Sequence, residues 1–424
     1  MLRVAMISVH TCPLARLGSR ETGGMNVYIR ELSRHLGARG VAVDVFTRRQ
    51  DPDVREVVEF GPNARVIHLD AGPAKPLDKY RVLEHLPQFV HNIGRFRERA
   101  GRKYDVIHGH YWLSGPVAMS LADSWDVPLV TMFHTLGRVK NTVSRNGDEK
   151  EHSARIDIEQ DTMDAADVIV AASPTDMEHM VSYYEADASR IRVIPEGVDT
   201  SIFRPYSRSV ARALVGMGEE KQLLFVGRIQ RLKGIDMLLK SFAILRDGWH
   251  NGPGPSLTVV GGVSASGVAD LEAAERRRLE QLARELGVEA HVRFQDAVPH
   301  EELPYYYSSA DVVAAPSTYE SFGLVALEAM ASGTPVVASK VGGLQWTVRD
   351  GETGFLVSKR SPEQFAAALG ELLTDDGLRA RMSEAAVKVA GEFSWDVVAD
   401  RILSLYHDLM PCACAAGELA PSFG

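Results

Sequence analysis

The chain has 424 residues, of which 45% are hydrophobic and 24% are charged, and its formal net charge is −9 at pH 7. Because a single hydrophobic core stops growing at about 250–300 residues, this length predicts two domains. The composition is that of an ordinary soluble globular protein, and the acidic balance argues against broad nucleic-acid binding while leaving room for a local basic pocket.

Neither a membrane span nor a disulfide framework is predicted. No apolar run reaches the roughly 18–20 residues that cross a bilayer, and the first residues lack the charged and apolar regions of a signal peptide, so we expect a cytoplasmic protein. The three cysteines are Cys12, Cys412 and Cys414. The last two form a C-x-C pattern in a Pro/Ala/Gly-rich tail at 411–424, which we interpret as a flexible terminus in preference to a metal or redox site.

Short β-branched runs alternate with amphipathic helical stretches along the chain. This is the pattern of parallel βα units, and it predicts an α/β protein with two doubly wound, Rossmann-like domains facing a cleft. The first domain is expected to hold strands near 4–9, 43–47, 66–69, 106–108, 129–133, 168–171 and 191–194. The second is expected to hold strands near 223–226, 257–260, 292–294, 312–315, 335–338 and 355–357.

The segment 195–209 has neither helical nor strand periodicity and contains two prolines, so we interpret it as the linker between the domains. We place the first domain at 1–203 and the second at 204–393. A final helix is predicted over 394–410, and we expect it to cross back onto the first domain.

The segment FVGRIQRLKG combines a strand, a glycine and two cations. Its strand ends at Gly227, and Arg228 and Lys233 follow. Two cations at this place can neutralise a pyrophosphate through charge-assisted hydrogen bonds. A solvated surface face is the alternative interpretation of the same residues.

The segment ESFGLVALE predicts the start of a helix with a carboxylate at each end. Glu320 precedes the helix, and Gly323 keeps its beginning uncrowded, so the N–H groups of Phe322, Gly323 and Leu324 can face a phosphate or a sugar oxygen. Glu328 lies within the helix, where its carboxylate can accept both hydroxyl groups of a ribose. Together with the preceding cations, this order of features predicts a nucleotide-sugar site, although a surface helix also explains the acids.

A glycine pair, Gly23 and Gly24, follows the first predicted strand and precedes a helix. The functional interpretation is close approach of the backbone to a phosphate or sugar, with the Asn26 amide beside it. A flexible loop is the alternative. The pairs at 261–262 and 342–343 are typical of simple βα turns.

Seven segments taken in order resemble the retaining family 4 glycosyltransferases of GT-B fold: GGMNVYIREL, HGHYWLSG, FHTLGRVKN, EGVDTSIFRP, FVGRIQRLKG, ESFGLVALEAMASGTPVVAS and GGLQWTV. The resemblance extends from residue 4 to about residue 406. Within the family, the N-terminal part is most similar to the D-inositol-3-phosphate N-acetylglucosaminyltransferases of mycothiol biosynthesis, and the sucrose-phosphate synthases come next.

The resemblance implies that the second domain binds the nucleotide-sugar donor. Arg228 and Lys233 match the family's pyrophosphate-binding residues, and Glu328 matches its ribose-binding glutamate. His134 matches a histidine that lies near the reacting sugar. The donor-binding set is Gly24, Arg228, Lys233, Val298, Glu320, Phe322, Gly323, Leu324 and Glu328. The implied catalytic residues are His134, Glu320, Arg228 and Lys233.

The resemblance also implies that the first domain binds a small phosphorylated acceptor. The implied acceptor-binding residues are His10, Gly23, Asn26, Lys79, Tyr111, Thr135 and Arg155. For Lys79 and Arg155 we foresee no structural role, because they lie in ordinary polar segments. The chain departs from the family pattern at Arg231, where proline is expected, and in the stretch 144–155, so the acceptor identified most firmly is a phosphorylated polyol or sugar.

The implied reaction is transfer of a hexosyl group, N-acetylglucosamine or glucose, from a UDP-sugar with retention at the anomeric carbon. The two cations take the part of a divalent ion, so no cofactor is essential and Mg²⁺ is not required. Three alternatives stay open: glucose transfer to fructose 6-phosphate, a nucleotide-sugar epimerase or hydrolase, and a catalytically silent binding protein. The sequence also leaves open ADP or GDP as donor nucleotide and whether the protein forms a homodimer.

Overall fold

The computed structural model describes residues 1–15, 23–144, 150–262, 269–358 and 361–410. Cys412, Cys414 and the predicted tail 411–424 therefore lie outside the described residues. Within the described part, the strands form two sheets, one of eight strands and one of six. The predicted α/β class with two doubly wound sheets is confirmed.

The first sheet is parallel except at one edge, and its strand order is β3-β4-β2-β1-β5-β6-β7-β8. All of its predicted strands are present, and β3, which pairs with β4 in the antiparallel sense, was not predicted. β3 is a half-exposed edge strand, so it lacks the continuous apolar run that marks a buried strand. The strands are β1 (Arg3–Ile7), β2 (Ala42–Arg48), β3 (Val57–Gly61), β4 (Ala64–Leu69), β5 (Val106–His110), β6 (Leu129–Met132), β7 (Val168–Ala171) and β8 (Ile191–Val193).

The second sheet is entirely parallel, in the order β11-β10-β9-β12-β13-β14. Its central strands are buried along their whole length because helices cover both faces of the sheet. The strands are β9 (Gln222–Val226), β10 (Ser256–Val260), β11 (Val292–Gln295), β12 (Val312–Ala315), β13 (Val336–Ser339) and β14 (Gly354–Val357).

Each sheet has a point at which the chain reverses its direction of winding. β1 lies between β2 and β5, and β9 lies between β10 and β12. In each sheet, the strands that follow the first one in sequence are therefore added on one side of it, and the later strands are added on its other side. Open α/β sheets bind ligands at such a point, beyond the carboxyl ends of the strands. The topology alone therefore places a ligand crevice next to β1 and another next to β9.

Helices connect the strands and cover the sheets. On the first sheet they are α1 (Gly24–Ala38), α2 (Lys79–Val82), α3 (Leu86–Arg99), α4 (Gly115–Trp125), α5 (Gly137–Val143), α6 (Ser153–Ala165) and α7 (Pro174–Tyr184). The remainder are α8 (Arg208–Val215), α9 (Ile235–Asp247), α10 (Ala269–Glu285), α11 (Leu303–Ser309), α12 (Leu324–Ala331), α13 (Leu344–Thr347), α14 (Pro362–Thr374), α15 (Asp376–Gly391) and α16 (Trp395–Leu409). No helix within the described ranges is both long and apolar enough to span a membrane.

The segment predicted as a linker is less irregular than expected. α8 begins at Arg208, inside the predicted range 195–209, and Phe203 is buried. Val198 forms an isolated parallel bridge with Ser394, the residue that caps α16. α16 then packs on α1, where Arg39 donates to the Asp400 carboxylate at 2.6 Å. The division into domains at 203 and 393 stays a prediction.

Candidate active site

A cavity of about 570 Å³ lies between the two sheets. Its walls come from loops at the carboxyl ends of strands in both sheets, as the winding predicts. Two of the proposed site residues, Phe322 and Arg155, do not line it. The others do: His10, Gly23, Gly24, Asn26, Lys79, Tyr111, His134, Thr135, Arg228, Lys233, Val298, Glu320, Gly323, Leu324 and Glu328.

The glycine turn before α1 brings the two halves of the cavity together. A Cβ atom at Gly24 would lie 2.9 Å from Cδ1 of Leu324, the first residue of α12. The Asn26 amide fixes the turn, because it donates to Thr11 Oγ1 at 2.9 Å and to the Cys12 carbonyl at 2.8 Å. The Asn26 side-chain oxygen accepts the Gly23 N–H. Glycine at position 24 therefore allows the starts of α1 and α12 to approach across the cavity.

Tyr111 and His134 follow β5 and β6 in a backbone conformation that non-glycine residues rarely adopt. Their φ angles are 70° and 60°. Such a conformation costs on the order of 1–3 kcal/mol and persists where the surroundings impose it, often at functional sites. His134 is buried, with Nε2 3.2 Å from His110 Nδ1 and its ring edge-to-face with Tyr28.

Glu196 is a cavity residue that the sequence analysis missed. It follows β8, is buried, and has Oε1 3.6 Å from His134 Nδ1. The sequence places residue 196 in the predicted linker, because the surrounding segment lacks periodicity. Its place directly beyond a predicted strand is the signal that could have identified it, since ligands of such sheets lie beyond strand ends.

Two residues from separate motifs meet on the second-sheet side of the cavity. Lys233 Nζ lies 2.6 Å from Glu320 Oε2, and Arg228 lines the same wall. Lys233 ends a 3₁₀ turn after β9, and Glu320 follows β12, so neighbouring strands bring the cation and the carboxylate together. The Lys233 ammonium can thus bind an anion, and the Glu320 carboxylate can accept hydrogen bonds from hydroxyl groups.

α12 begins beside this ion pair. Gly323 is its N-cap with a φ angle of 103°, in the region that favours glycine, and the first N–H groups of a helix have no acceptor within the helix. Gly323 and Leu324 line the cavity there. The Phe322 side chain is buried in the core.

Within α12, Glu328 is held by two donors. His300 Nε2 lies 2.8 Å from one carboxylate oxygen, and the Tyr307 hydroxyl donates to the other at 2.8 Å. Burial lowers the pKa of His300, but the Glu328 carboxylate outweighs this effect, so the net pKa is raised above its usual 6.5. His300 also lines the cavity and was not identified from the sequence, because a lone histidine 28 residues away carries no motif.

On the first-sheet side, Lys79, Tyr111 and Thr135 line the cavity together with His10. Burial, with the nearby cations Lys79 and Arg155, lowers the pKa of His10 to about 3, so its imidazole is neutral near pH 7. A neutral ring in this place offers hydrogen bonding without adding charge.

Our expectation that Arg155 and Lys79 have no structural role was wrong. Arg155 is fully buried; its Nε lies 2.7 Å from Glu159 Oε1, and its Nη2 donates to the Thr135 carbonyl at 2.8 Å. Lys79 is ion-paired with Glu151 at 2.5 Å. Arg155 thus ties α6 to the loop after β6, and it reaches the cavity only through the residues that it holds. Residues 145–149 of the divergent stretch lie outside the described residues.

Two Rossmann-like sheets that share one cleft, with cations and a helix N-terminus on the second sheet, define the GT-B class of glycosyltransferases. The chain belongs to this class and, within it, to family 4. It matches the family model described as "Glycosyltransferase Family 4" over residues 22–202 and that described as "Glycosyl transferases group 1" over residues 211–389.

Proteins of known identity match almost the whole chain. The D-inositol 3-phosphate glycosyltransferase of Corynebacterium jeikeium is 44% identical over 99% of this chain and 100% of its own length. That of Corynebacterium glutamicum is 42% identical over 98% of this chain and 99% of its own length. Among solved structures, sucrose-phosphate synthase from Thermosynechococcus elongatus is 36% identical with a TM-score of 0.87, covering 96% of this chain and 99% of that one. The chain is therefore a glycosyltransferase of the same family as these enzymes.

Proposed function

We propose that this protein transfers N-acetylglucosamine from a UDP-sugar to inositol 3-phosphate with retention of the anomeric configuration. The observation that carries the proposal is the presence of two separate cation groups on opposite walls of one cavity. Arg228 and Lys233 stand on the second-sheet wall, and Lys79 stands on the first-sheet wall. One group suits a diphosphate and the other suits the phosphate of an acceptor.

The donor would lie against the second sheet. Arg228 and Lys233 would hold the diphosphate, and Glu328, already oriented by His300 and Tyr307, would accept the ribose hydroxyls. Glu320 and the first N–H groups of α12 would face the transferred sugar. The place of each of these residues on the cavity wall supports the proposed contact.

The acceptor would lie against the first sheet, with its phosphate near Lys79, Tyr111 and Thr135. The relatives named D-inositol 3-phosphate glycosyltransferase, which match the chain over nearly its whole length, favour inositol 3-phosphate as this acceptor. The neutral His10 and the Asn26 turn would border the inositol ring.

For the chemical step we favour a front-face substitution. The acceptor hydroxyl would attack the anomeric carbon from the side on which the diphosphate leaves, and a diphosphate oxygen would take the hydroxyl proton. Arg228, Lys233 and the α12 N-terminus would stabilise the growing charge on the leaving group, which is commonly the largest contribution in catalysis. The chain would then need no metal ion for this step, and closure about the segment 195–209 would exclude water.

Transfer of glucose to fructose 6-phosphate is the second candidate. The 36% identity and TM-score of 0.87 to a sucrose-phosphate synthase favour it, and the same cations would hold the sugar phosphate. UDP release from UDP-N-acetylglucosamine and UDP-glucose, each with inositol 3-phosphate and fructose 6-phosphate, separates the two. Release with N-acetylglucosamine and inositol 3-phosphate supports the first, and release with glucose and fructose 6-phosphate supports the second. UDP release without any acceptor points to a hydrolase, and conversion of the UDP-sugar to its epimer without any acceptor points to an epimerase.

A further inference from the structure

Four side chains converge on the carboxylate of Glu151 at the acceptor wall. Lys79 Nζ lies 2.5 Å from Oε2, and the Tyr80 hydroxyl donates to the same oxygen at 2.7 Å. Arg155 Nη1 lies 3.0 Å from Oε1, and the Lys140 ammonium is ion-paired with that oxygen. One monoanion therefore neutralises part of the charge of three cations.

The two lysines differ from Arg155 in their access to the cavity. Lys79 and Lys140 line it and are 22% and 26% exposed, whereas Arg155 is fully buried and does not line it. An ammonium carries three donors, so each lysine can keep its bond to Glu151 and still donate to a bound anion. A phosphate dianion with several acceptor oxygens fits two ammonium groups that face one space.

Without the Glu151 carboxylate, no opposite charge would hold the Lys79 and Lys140 ammonium groups close to each other. They come from different elements, α2 and α5, and like charges at short range repel. Burial also lowers the pKa of Lys140, and the Glu151 carboxylate opposes that effect. The backbone N–H of Glu151 donates to Asn141 Oδ1 at 2.7 Å, which anchors the backbone of residue 151 to α5.

We propose that Lys140 is a further binding residue for the acceptor's phosphate, and that Glu151 is a positioning residue which holds the Lys79 and Lys140 ammonium groups together at the cavity wall. This inference rests on the proposed function and deepens it. The phosphate would be bound by two lysines from different helices, Lys79 and Lys140. The buried Glu151 carboxylate would join the two lysines without touching the substrate.

The first test is Lys140→Gln, with Lys103→Gln as its matched control. Lys103 is exposed and precedes the amino end of β5, at the edge of the sheet away from the cavity. Losing a charge-assisted hydrogen bond to the phosphate should raise the acceptor KM about 10- to 100-fold. The Kd for UDP and the kcat at saturating acceptor should change little. An unchanged acceptor KM in Lys140→Gln would remove this residue from the site.

The second test asks whether Glu151 acts through Lys140. Glu151→Gln should also raise the acceptor KM and leave UDP binding unchanged. In the double variant Lys140→Gln/Glu151→Gln, the effects should be clearly less than additive, because the second change removes a function already lost. Full additivity would contradict the positioning role. A lowered KM in Glu151→Gln would mean that the carboxylate competes with the phosphate, which would also overturn the proposal.

Calorimetric binding of inorganic phosphate separates this inference from the proposed function, because it needs neither inositol nor turnover. The wild-type protein should bind inorganic phosphate, and Lys140→Gln should bind it at least about tenfold more weakly, as expected for a lost charge-assisted bond. If Lys140→Gln weakens phosphate binding but the wild type does not use inositol 3-phosphate, the phosphate site is supported and inositol 3-phosphate is rejected as the acceptor. Equal phosphate binding by wild type and variant would reject the phosphate site, whatever the acceptor.

Discussion

Lys233 and Glu320 lie 87 residues apart in the sequence, and their charged groups are 2.6 Å apart at the cavity wall. The pair joins the two motifs from which a nucleotide-sugar site was inferred. Both side chains are about one-fifth exposed. In the proposed function, a donor entering the cavity would meet a cation and a carboxylate that are already oriented, which would reduce the conformational entropy lost on binding.

Lys233→Ala should weaken UDP binding without destabilising the fold. Loss of a charge-assisted contact to the diphosphate should raise the Kd for UDP about 10- to 100-fold. Because the ion pair is partly exposed, the free energy of unfolding should change by no more than about 1 kcal/mol. Calorimetry and urea unfolding measure the two quantities, and Lys240→Ala on the exposed face of α9 is the control. Unchanged UDP affinity would remove Lys233 from the donor site.

Arg155→Met should act mainly on stability. Arg155 and Glu159 are both fully buried, and removal of the guanidinium leaves the carboxylate without its cation. Breaking a buried pair in this way costs about 3–5 kcal/mol. Urea unfolding should show the loss directly. If the protein unfolds at the wild-type urea concentration while the acceptor KM rises, Arg155 is a ligand of the substrate and has little structural function.

His300→Asn should change how stability depends on pH. The Glu328 carboxylate outweighs burial and raises the pKa of His300; Arg30 opposes this rise and Glu31 assists it. A group with a raised pKa in the folded state contributes most below its unfolded pKa, about 6.5, and this contribution is lost as pH rises through the folded pKa. At low pH, the free energy of unfolding of the wild type should exceed that of the variant by about 1.5–3 kcal/mol, which is the contribution of a hydrogen bond between charged groups.

Chemical unfolding of wild type and His300→Asn at pH 5.5 and again at pH 9 would measure this difference. We expect the difference in the free energy of unfolding to be smaller at pH 9. A difference that is equal at both values would show that His300 is neutral in the folded protein.

Gly24→Val should reduce turnover, because the new side chain would press on Leu324 where α1 and α12 meet. Misplacement of substrate-holding elements by about 1 Å can cost on the order of 100-fold, so we expect kcat/KM for the donor to fall at least tenfold. Gly94→Val in α3 is the matched control, since beyond the adjacent residues and backbone of its own helix no atom lies within 4 Å of a Cβ there. Equal kcat/KM in both variants would show that the two helix starts need not be so close.

The sequence predicted the buried strands because their apolar runs are continuous, as in Val312–Ala315 of β12. It missed β3, whose residues are half exposed at the sheet edge. Glu196, His300 and Lys140 were also missed. Glu196 could have been found from its place directly beyond a predicted strand. The contacts of His300 with Glu328 and of Lys140 with Glu151 leave no local pattern in the sequence.

Arg155 shows the opposite case. The family resemblance pointed to this residue as an acceptor ligand, and its polar segment gave no sign of a structural role. α6 instead places it against Glu159, one helical turn away, on the buried face of the helix. An arginine that faces the interior cannot be recognised until the orientation of its helix is known.

The proposed reaction is transfer of N-acetylglucosamine to inositol 3-phosphate with retention of the anomeric configuration. Nuclear magnetic resonance of the product formed from UDP-N-acetylglucosamine and inositol 3-phosphate tests it most directly. We expect one new glycoside on inositol 3-phosphate whose anomeric proton shows the α configuration of the donor. A β-linked product would contradict retention, and free N-acetylglucosamine without any glycoside of inositol would contradict the transfer itself.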